Sequence, residues 1–304
     1  MKLTDEELLQ ELKERFLTKE KALEDYQKLI EELGRVNQKL TESEQLKSQF
    51  LSNIRNEINN PFASILGLSQ QLTQLNAQPN VDDIKSIASL IYVETFDLNF
   101  QFNNIFAAAD SEAGELDLYC SKITLNDFMV ELVDHFTPMA TQHNTILELS
   151  TTNTTGGGQH FCNDASKLQL IIGNLISNAI KFSHAEPSVN NKNKPVLIQY
   201  HLEGSMLRCK VTDQGIGIVP DTYQKMFDSF TQLNEGMTKN YRGHGLGLAV
   251  VKAVLDMMDG SIEASSNLDQ GSTFFVNIPE MTDQQAAPLS TAGNEFLFDD
   301  GEVF

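Results

Sequence analysis

The stretch that decides the reading is N174-LISNAIKF-182, followed by D213-QGIG-217, M226-FDSF-230 and G243-HGLGL-248. In the first, Asn174, Asn178 and Lys181 recur at helical offsets of four and three, which places two amides and one ammonium on a single helix face. Amide oxygens suit a hard cation such as Mg²⁺, and the ammonium suits a phosphate. In the second, Asp213 closes the alternating run LRCKVT and is followed by Gly215 and Gly217. A carboxylate beside a glycine turn can accept a hydrogen bond from an exocyclic amine while the backbone approaches a flat ring. The third carries Phe227 and Phe230. In the fourth, Gly243, Gly245 and Gly247 precede a helix ending near Gly260, and free amides at a helix N-terminus cradle phosphate. Taken singly each pattern is weak; order and spacing make the set specific. Neither GxxxxGK[ST] nor GxGxxG occurs.

Outward from these motifs, residues 120–280 alternate helical patterns with strands such as Pro195–Tyr200, Leu207–Thr212 and Ser272–Ile278, the pattern of an α/β sandwich. Before them, apolar residues at helical spacing (Leu46, Phe50, Ile54, Ile58, Phe62, Ile65, Leu72) predict a helix from about Thr41 to Asn76, with a kink at Pro61. NAQPN (76–80) reads as a turn. A second helix begins at Asp82 and Asp83, uses Ile84, Ile87, Ile91, Phe102 and Ile105, and ends near SEAG (111–114). Such a hairpin has too much apolar surface for itself, and two copies make a four-helix bundle. The N-terminal segment reads as a parallel coiled coil. Its a series is Leu9, Phe16, Leu23, Ile30 and Asn37, and its d series is Leu12, Lys19, Tyr26, Leu33 and Leu40.

The 304 residues carry 22 Lys+Arg against 42 Asp+Glu, a formal net charge of −20, which argues against nucleic acid or anionic membrane as a partner. A hydrophobic content of 40% supports packed cores. Cys120, Cys162 and Cys209 are few and widely spaced, so neither a disulfide framework nor a zinc site follows, and a reducing cytoplasmic compartment is expected. The charged N-terminus is not a signal peptide, and a membrane could enter only through a sensor outside this chain. The expected organisation is a coiled coil over 1–45, a dimerisation hairpin over 46–117, an α/β domain that carries the four motifs over 118–280, and an acidic tail without periodicity over 281–304.

The four motifs resemble the N, G1, F and G2 boxes of histidine kinases, within the wider gyrase–Hsp90–kinase–MutL ATPase superfamily. By that resemblance the fold is a dimeric helical bundle followed by an α/β sandwich of the superfamily type, and the cofactors are ATP and Mg²⁺. It implies that Asn174 binds Mg²⁺, that Asn178 and Lys181 contact phosphates, and that Asp213 binds the adenine amine in a pocket shaped by Gly215 and Gly217. Gly243, Gly245 and Gly247, with Leu246 between them, would anchor a lid spanning about 228–242, and Phe230, Lys239, Tyr241 and Arg242 become candidate nucleotide contacts.

One departure bears on function. The family's H box resembles FLxxxSHExRTP, and the matching stretch here is F50-LSNIRNEINNP-F62. Asn56 stands where the phosphoacceptor His belongs, about 200° around the helix from the apolar row of Ile54 and Ile58. An amide nitrogen is delocalised and cannot attack a γ-phosphate as imidazole does. All six histidines lie beyond the hairpin. Arg55 and Asn59 also depart from the pattern, which favours a native, degenerate site over an active kinase captured as a deliberate His-to-Asn variant. Glu57 and Asn60 match the family's ExxT/N pattern, which implies phosphatase action on a response-regulator receiver domain. The alternatives are phosphotransfer to another histidine kinase within a scaffold, and a dimeric interaction protein that ATP merely switches.

Overall fold

The structure, a computed structural model, describes residues 5–74, 80–152, 160–183, 195–219, 226–227 and 245–281. It divides into two compact units, Met1–Arg55 and Asn56–Phe304.

In the first unit the chain is helical from Asp5 within α1 (Asp5–Thr73). Phe16, Leu23, Tyr26, Ile30, Leu33 and Leu40, members of the a and d series, are exposed in the single chain. Helix α1 keeps its helical assignment through Pro61, which is buried.

In the second unit the end of α1 is followed by α2 (Val81–Ala113), and Ser64 Oγ donates to Glu94 Oε1 across the pair at 3.1 Å. Local chemistry sets both ends of α2. The Asn80 side chain accepts from Asp82 N at its start, where Asp82 and Asp83 face the positive end of the helix. Gly114 ends it at φ 71° in the left-handed region, with Glu115 N donating back to Asp110 O. The turn over 76–80 lies largely outside the described residues.

The domain that follows is built from β1 (Ser121–Thr124), α3 (Leu125–Gln142), β2 (Leu147–Thr151), β3 (His160–Asn163), α4 (Ala165–Phe182), β4 (Val196–Glu203), β5 (Met206–Thr212), α5 (Gly247–Met257), β6 (Ser261–Asn267) and β7 (Gly271–Pro279). Strands β2-β4-β5-β7-β6 form one sheet in that order, with β2 and β4 parallel and the other neighbours antiparallel; β1 and β3 form a separate antiparallel pair. Alternation assigns the faces. Val196, Ile198, Leu207, Cys209, Val211, Phe274, Val276 and Ile278 are buried, while Gln199, Arg208 and Phe275 between them are exposed. Helices α3, α4 and α5 pack together, α4 making contact with both of the others and with β4 and β5.

Helix α4 is covered on nearly every side. Leu168, Ile171, Ile172, Leu175, Ile176 and Ile180 have no exposed surface, and Gly173, Asn174 and Ser177 are buried as well. A helix buried all round needs a second cover besides the sheet, and α2 supplies part of it. Phe100 and Phe96 meet Phe136 of α3 edge-on, with ring centroids 5.4 and 5.2 Å apart. The Phe100 ring lies over Gly173, where an added Cβ would fall 2.9 Å from Phe100 Cε2 and 3.2 Å from Phe136 Cζ. Gly173→Ala is therefore expected to destabilise the fold by about 1–2 kcal/mol despite the better helix propensity of alanine. Phe100→Leu in the same chain is expected to restore part of the loss, a non-additivity that thermal denaturation of the two single variants and the double variant measures.

Candidate functional site

The fold gathers the first, second and fourth motifs around the C-terminal half of α4. Asp164 starts that helix. Its Oδ1 accepts from Lys167 N (3.1 Å) and Ser166 Oγ (2.7 Å), and its Oδ2 accepts from Tyr119 N (2.9 Å). Three turns on, Asn174 is 4% exposed. Its Nδ2 donates to Leu170 O (2.8 Å) and to Asn104 Oδ1 of α2 (2.6 Å), while Asn104 Nδ2 donates to Phe100 O (3.1 Å). Asn174 Oδ1 faces Gly247 so closely that an added Cβ there would sit 2.6 Å from it. Gly247 thus admits the Asn174 amide to the start of α5, where Leu246 is buried, Gly245 has φ 67°, and no side chain among the described residues caps the helix.

The far end of α4 meets the second motif. A Cβ on Gly215 would fall 2.2 Å from Phe182 O, so only glycine lets this loop lie against the end of α4. Gly217 adopts φ 70°, and the loop is pinned by Asp269 N donating to Ile216 O (2.7 Å) and Ile218 N donating to Ser266 Oγ (2.8 Å). Asp213, 5% exposed, sits between them. Its Oδ1 accepts from Gly215 N (2.8 Å) and Ser272 N (3.2 Å), and its Oδ2 takes part in neither bond. Burial pushes the Asp213 carboxyl up to about 6, against the lowering effect of those two amides.

Lys181 and Asn178, half-buried, line the same stretch of α4. Lys181 Nζ lies 3.6 Å from Asp97 Oδ1 of α2, a Coulombic contact too long for a hydrogen bond. Asp97 Oδ2 accepts from Gln101 Nε2 (2.6 Å), and Asp97 Oδ1 and Gln101 Oε1 are buried with no hydrogen-bond partner among the described residues. Residues 97, 101 and 104 of α2 therefore form a polar row whose ends engage Lys181 and Asn174. Sequence reading missed this row because Asp97 and Asn104 look like solvated positions on an amphipathic helix. It also missed Ser266 and Ser272, which contact the Asp213 loop from β6 and β7. Among the other candidates, Phe230, Lys239, Tyr241, Arg242 and Gly243 lie outside the described residues, as do the side chains of Asn56 and Glu57; Asn60 is exposed on α1.

The arrangement fits a purine nucleotide. Asp213 Oδ2 is the carboxylate oxygen that the Gly215 and Ser272 amides do not engage, an acceptor suited to an amine, and Lys181 with the start of α5 supplies positive ends suited to phosphates. Residues 163–282 match the model of the histidine kinase-, DNA gyrase B- and HSP90-like ATPases. The C-terminal domain is an ATPase domain of that class, which implies ATP binding, and the chain that carries it is homologous to sensor histidine kinases. It is 30% identical over 252 residues to the autoinducer 2 sensor kinase/phosphatase LuxQ of Vibrio parahaemolyticus, covering 82% of this chain and 28% of that protein. It is also 30% identical over 251 residues to the circadian input-output histidine kinase CikA of Synechocystis, covering 82% of this chain and 32% of that one. The chain thus spans about a third or less of the curated relatives it matches. Full-length ShkA in complex with AMPPNP shares the fold at 22% identity, with a TM-score of 0.51 over 81% of this chain and 47% of ShkA. No helix among the described residues is long and apolar enough to cross a membrane.

Two outcomes are expected of these contacts. The raised Asp213 carboxyl opposes folding once it ionises. This cost is absent below about pH 3.8, grows between there and about pH 6, and reaches about 3 kcal/mol above it. Asp213→Asn should therefore be more stable than the parent chain at pH 7 and equal to it near pH 3.5, while binding adenine nucleotide at least about tenfold more weakly. Chemical denaturation across that pH range and calorimetric titration with nucleotide measure the two effects. Asp97→Asn releases Lys181 from its partner, and a gain in nucleotide affinity of about two- to fivefold is expected in the same titration.

Proposed function

We propose that this protein is a two-component signalling protein of the histidine kinase type that binds ATP with Mg²⁺ and does not phosphorylate its own helical hairpin. A single observation supports this reading: Asn174, Lys181, Asp213 and Gly215, the residues that the resemblance assigns to the nucleotide, cluster along the C-terminal half of α4, whereas position 56 holds asparagine. ATP supplies a transferable phosphoryl group, and Mg²⁺ offsets the charge of its phosphates. Asp213 holds the adenine amine, Lys181 and Asn178 orient phosphates, and the amide oxygen of Asn174 is the protein ligand for the cation. One or two oxygen ligands suffice for Mg²⁺, because phosphates and water complete its shell. Glu57 and Asn60 remain on α1, spaced so that the exposed Asn60 lies one turn from the acceptor position. With no nucleophile at 56, they serve best to position water for hydrolysis of a phosphorylated receiver domain.

The exposed apolar series of α1 supports a parallel homodimer through coiled coil and four-helix bundle. The partners are then a second copy, a response-regulator receiver domain and, in the scaffold reading, another histidine kinase. The name of LuxQ, a sensor kinase/phosphatase, is consistent with retention of the phosphatase half.

Incubation with γ-labelled ATP and Mg²⁺ tests the proposal. The chain is expected to bind nucleotide yet acquire no acid-labile phosphate. Asn56→His is expected to label at least in part, held below full recovery by the neighbouring Arg55 cation, which lowers imidazole basicity. Acid-labile label on the unmodified chain would overturn the reading, because a distal histidine would then be the acceptor.

A further inference from the structure

The cysteines, 42 residues apart in the sequence, do not stay apart in the fold. Strands β1 and β3 pair antiparallel with Ser121 opposite Asn163 and Lys122 opposite Cys162. In that register Cys120 and Cys162 are diagonal neighbours on one face of the ladder. Their sulfurs are 2.9 Å apart. The sequence reading, in which sparse and widely spaced cysteines give no disulfide framework, could not foresee this closeness, and the three cysteines are free thiols in the structure.

The backbone around the pair is held on several sides. Cys162 N donates to Glu280 Oε1 (3.0 Å), and Cys162 O accepts from Met281 N (2.8 Å) at the exit of β7. Phe161 and Asn163, which flank it, are fully buried. On the other strand, Tyr119 N is tied to the cap of α4 through Asp164, and Leu116 and Leu118 bury the approach from α2. The two thiols are therefore presented to each other by fixed strands, which raises their effective concentration far above that of separate thiols. Both residues are half-buried, so a small solute reaches them. Cys209 is the internal contrast: it is 2% exposed on β5, and burial pushes its thiol up to about 12, which leaves it inert at neutral pH.

We propose that Cys120 and Cys162 are a redox-modification site, a dithiol that a peroxide-class oxidant converts into an intramolecular disulfide across the β1–β3 ladder. One thiolate attacks a peroxide oxygen, the O–O bond breaks, and a sulfenic acid and water form. The second thiolate attacks the sulfenic sulfur, the S–O bond breaks, and the oxygen leaves as water as the S–S bond forms. Two thiols and one hydrogen peroxide thus give one disulfide and two waters. The two sulfurs lose two electrons between them and the peroxide gains them. In a reducing compartment such bonds are transient and redox-sensing. The bond would fasten the segment leaving α2 to the strand that leads directly into α4, so β1 could no longer peel away. The site does not depend on what the nucleotide pocket binds.

The test uses the full chain, reduced, freed of reductant, and treated with a small excess of hydrogen peroxide. Maleimide labelling in denaturant is expected to fall from three thiols per chain to one, and mass mapping is expected to join the Cys120 and Cys162 peptides within a monomer-length chain. The thermal midpoint should rise by about 5 °C or more and return with dithiothreitol. Cys120→Ser and Cys162→Ser should each abolish the cross-link and leave a sulfenic acid that dimedone traps on the remaining partner, while Cys209→Ser changes nothing. Retention of all three thiols, loss of Cys209 instead, or a bond formed only between chains would overturn the proposal. The readout on the unmodified chain decides it even if a variant folds poorly.

Discussion

The placement of α4 between the sheet and α2 is the constraint on which the rest of the second unit depends. An eighteen-residue helix whose Leu168, Ile171, Ile172, Leu175, Ile176 and Ile180 are fully covered cannot face water on the opposite side without exposing Gly173, Asn174 and Ser177 as a bare strip. Phe100 fills that strip because Gly173 has no side chain. Close packing of this kind is intolerant of even one added methyl group. The same contact brings Asn104 to Asn174 and Asp97 to Lys181. One packing decision therefore sets both the stability of the contact between α2 and the domain and the partners of the polar groups on α4. A ligand that recruits Asn174 and Lys181 must compete with the α2 row for them. Binding and the seating of α2 are consequently linked.

Asp213 illustrates a second tension. A buried carboxylate is costly to ionise, and the amides of Gly215 and Ser272 offset only part of the desolvation. A neutral amide would suit folding better. What the carboxylate offers instead is a second acceptor oxygen besides the one that the Gly215 and Ser272 amides engage. Retaining a costly charge here is the kind of compromise between stability and function expected of functional sites.

At the start of the second unit, position 56 on α1 holds asparagine. A polar side chain of modest size is compatible with the helical pattern there, and its amide nitrogen is not a nucleophile. The dithiol at β1–β3 adds a covalent possibility at the other end of α2, where the linker enters the domain. Helix α2 thereby meets the end of α1 through Ser64 and Glu94, meets α4 through Asn174 and Lys181, and continues through residues 114–120 into the β1–β3 pair.

Local chemistry was legible in the amino-acid sequence. The ends of α2 follow from Asn80, Asp82, Asp83 and Gly114, because caps and left-handed glycines act within a turn. The strands β4, β5 and β7 follow from period-two alternation, α4 from the helical offsets of Asn174, Asn178 and Lys181, and α5 from the glycines that precede it. Asn174, Asn178, Lys181, Asp213 and the glycines could be singled out because their roles require particular residue types at particular spacings. The shorter strands β1 and β3 could not, being four residues each with no room for a periodic signal. The contacts of Asp97, Asn104, Ser266 and Ser272 with the site, and of Cys120 with Cys162, were likewise hidden. Each joins positions 42 or more residues apart, or lies across two strands of a hairpin, where a side chain's partner depends on register and docking. Sequence alone determined which groups could do the chemistry; tertiary structure decided which of them meet, because a contact across the chain is set by packing and has no period to read.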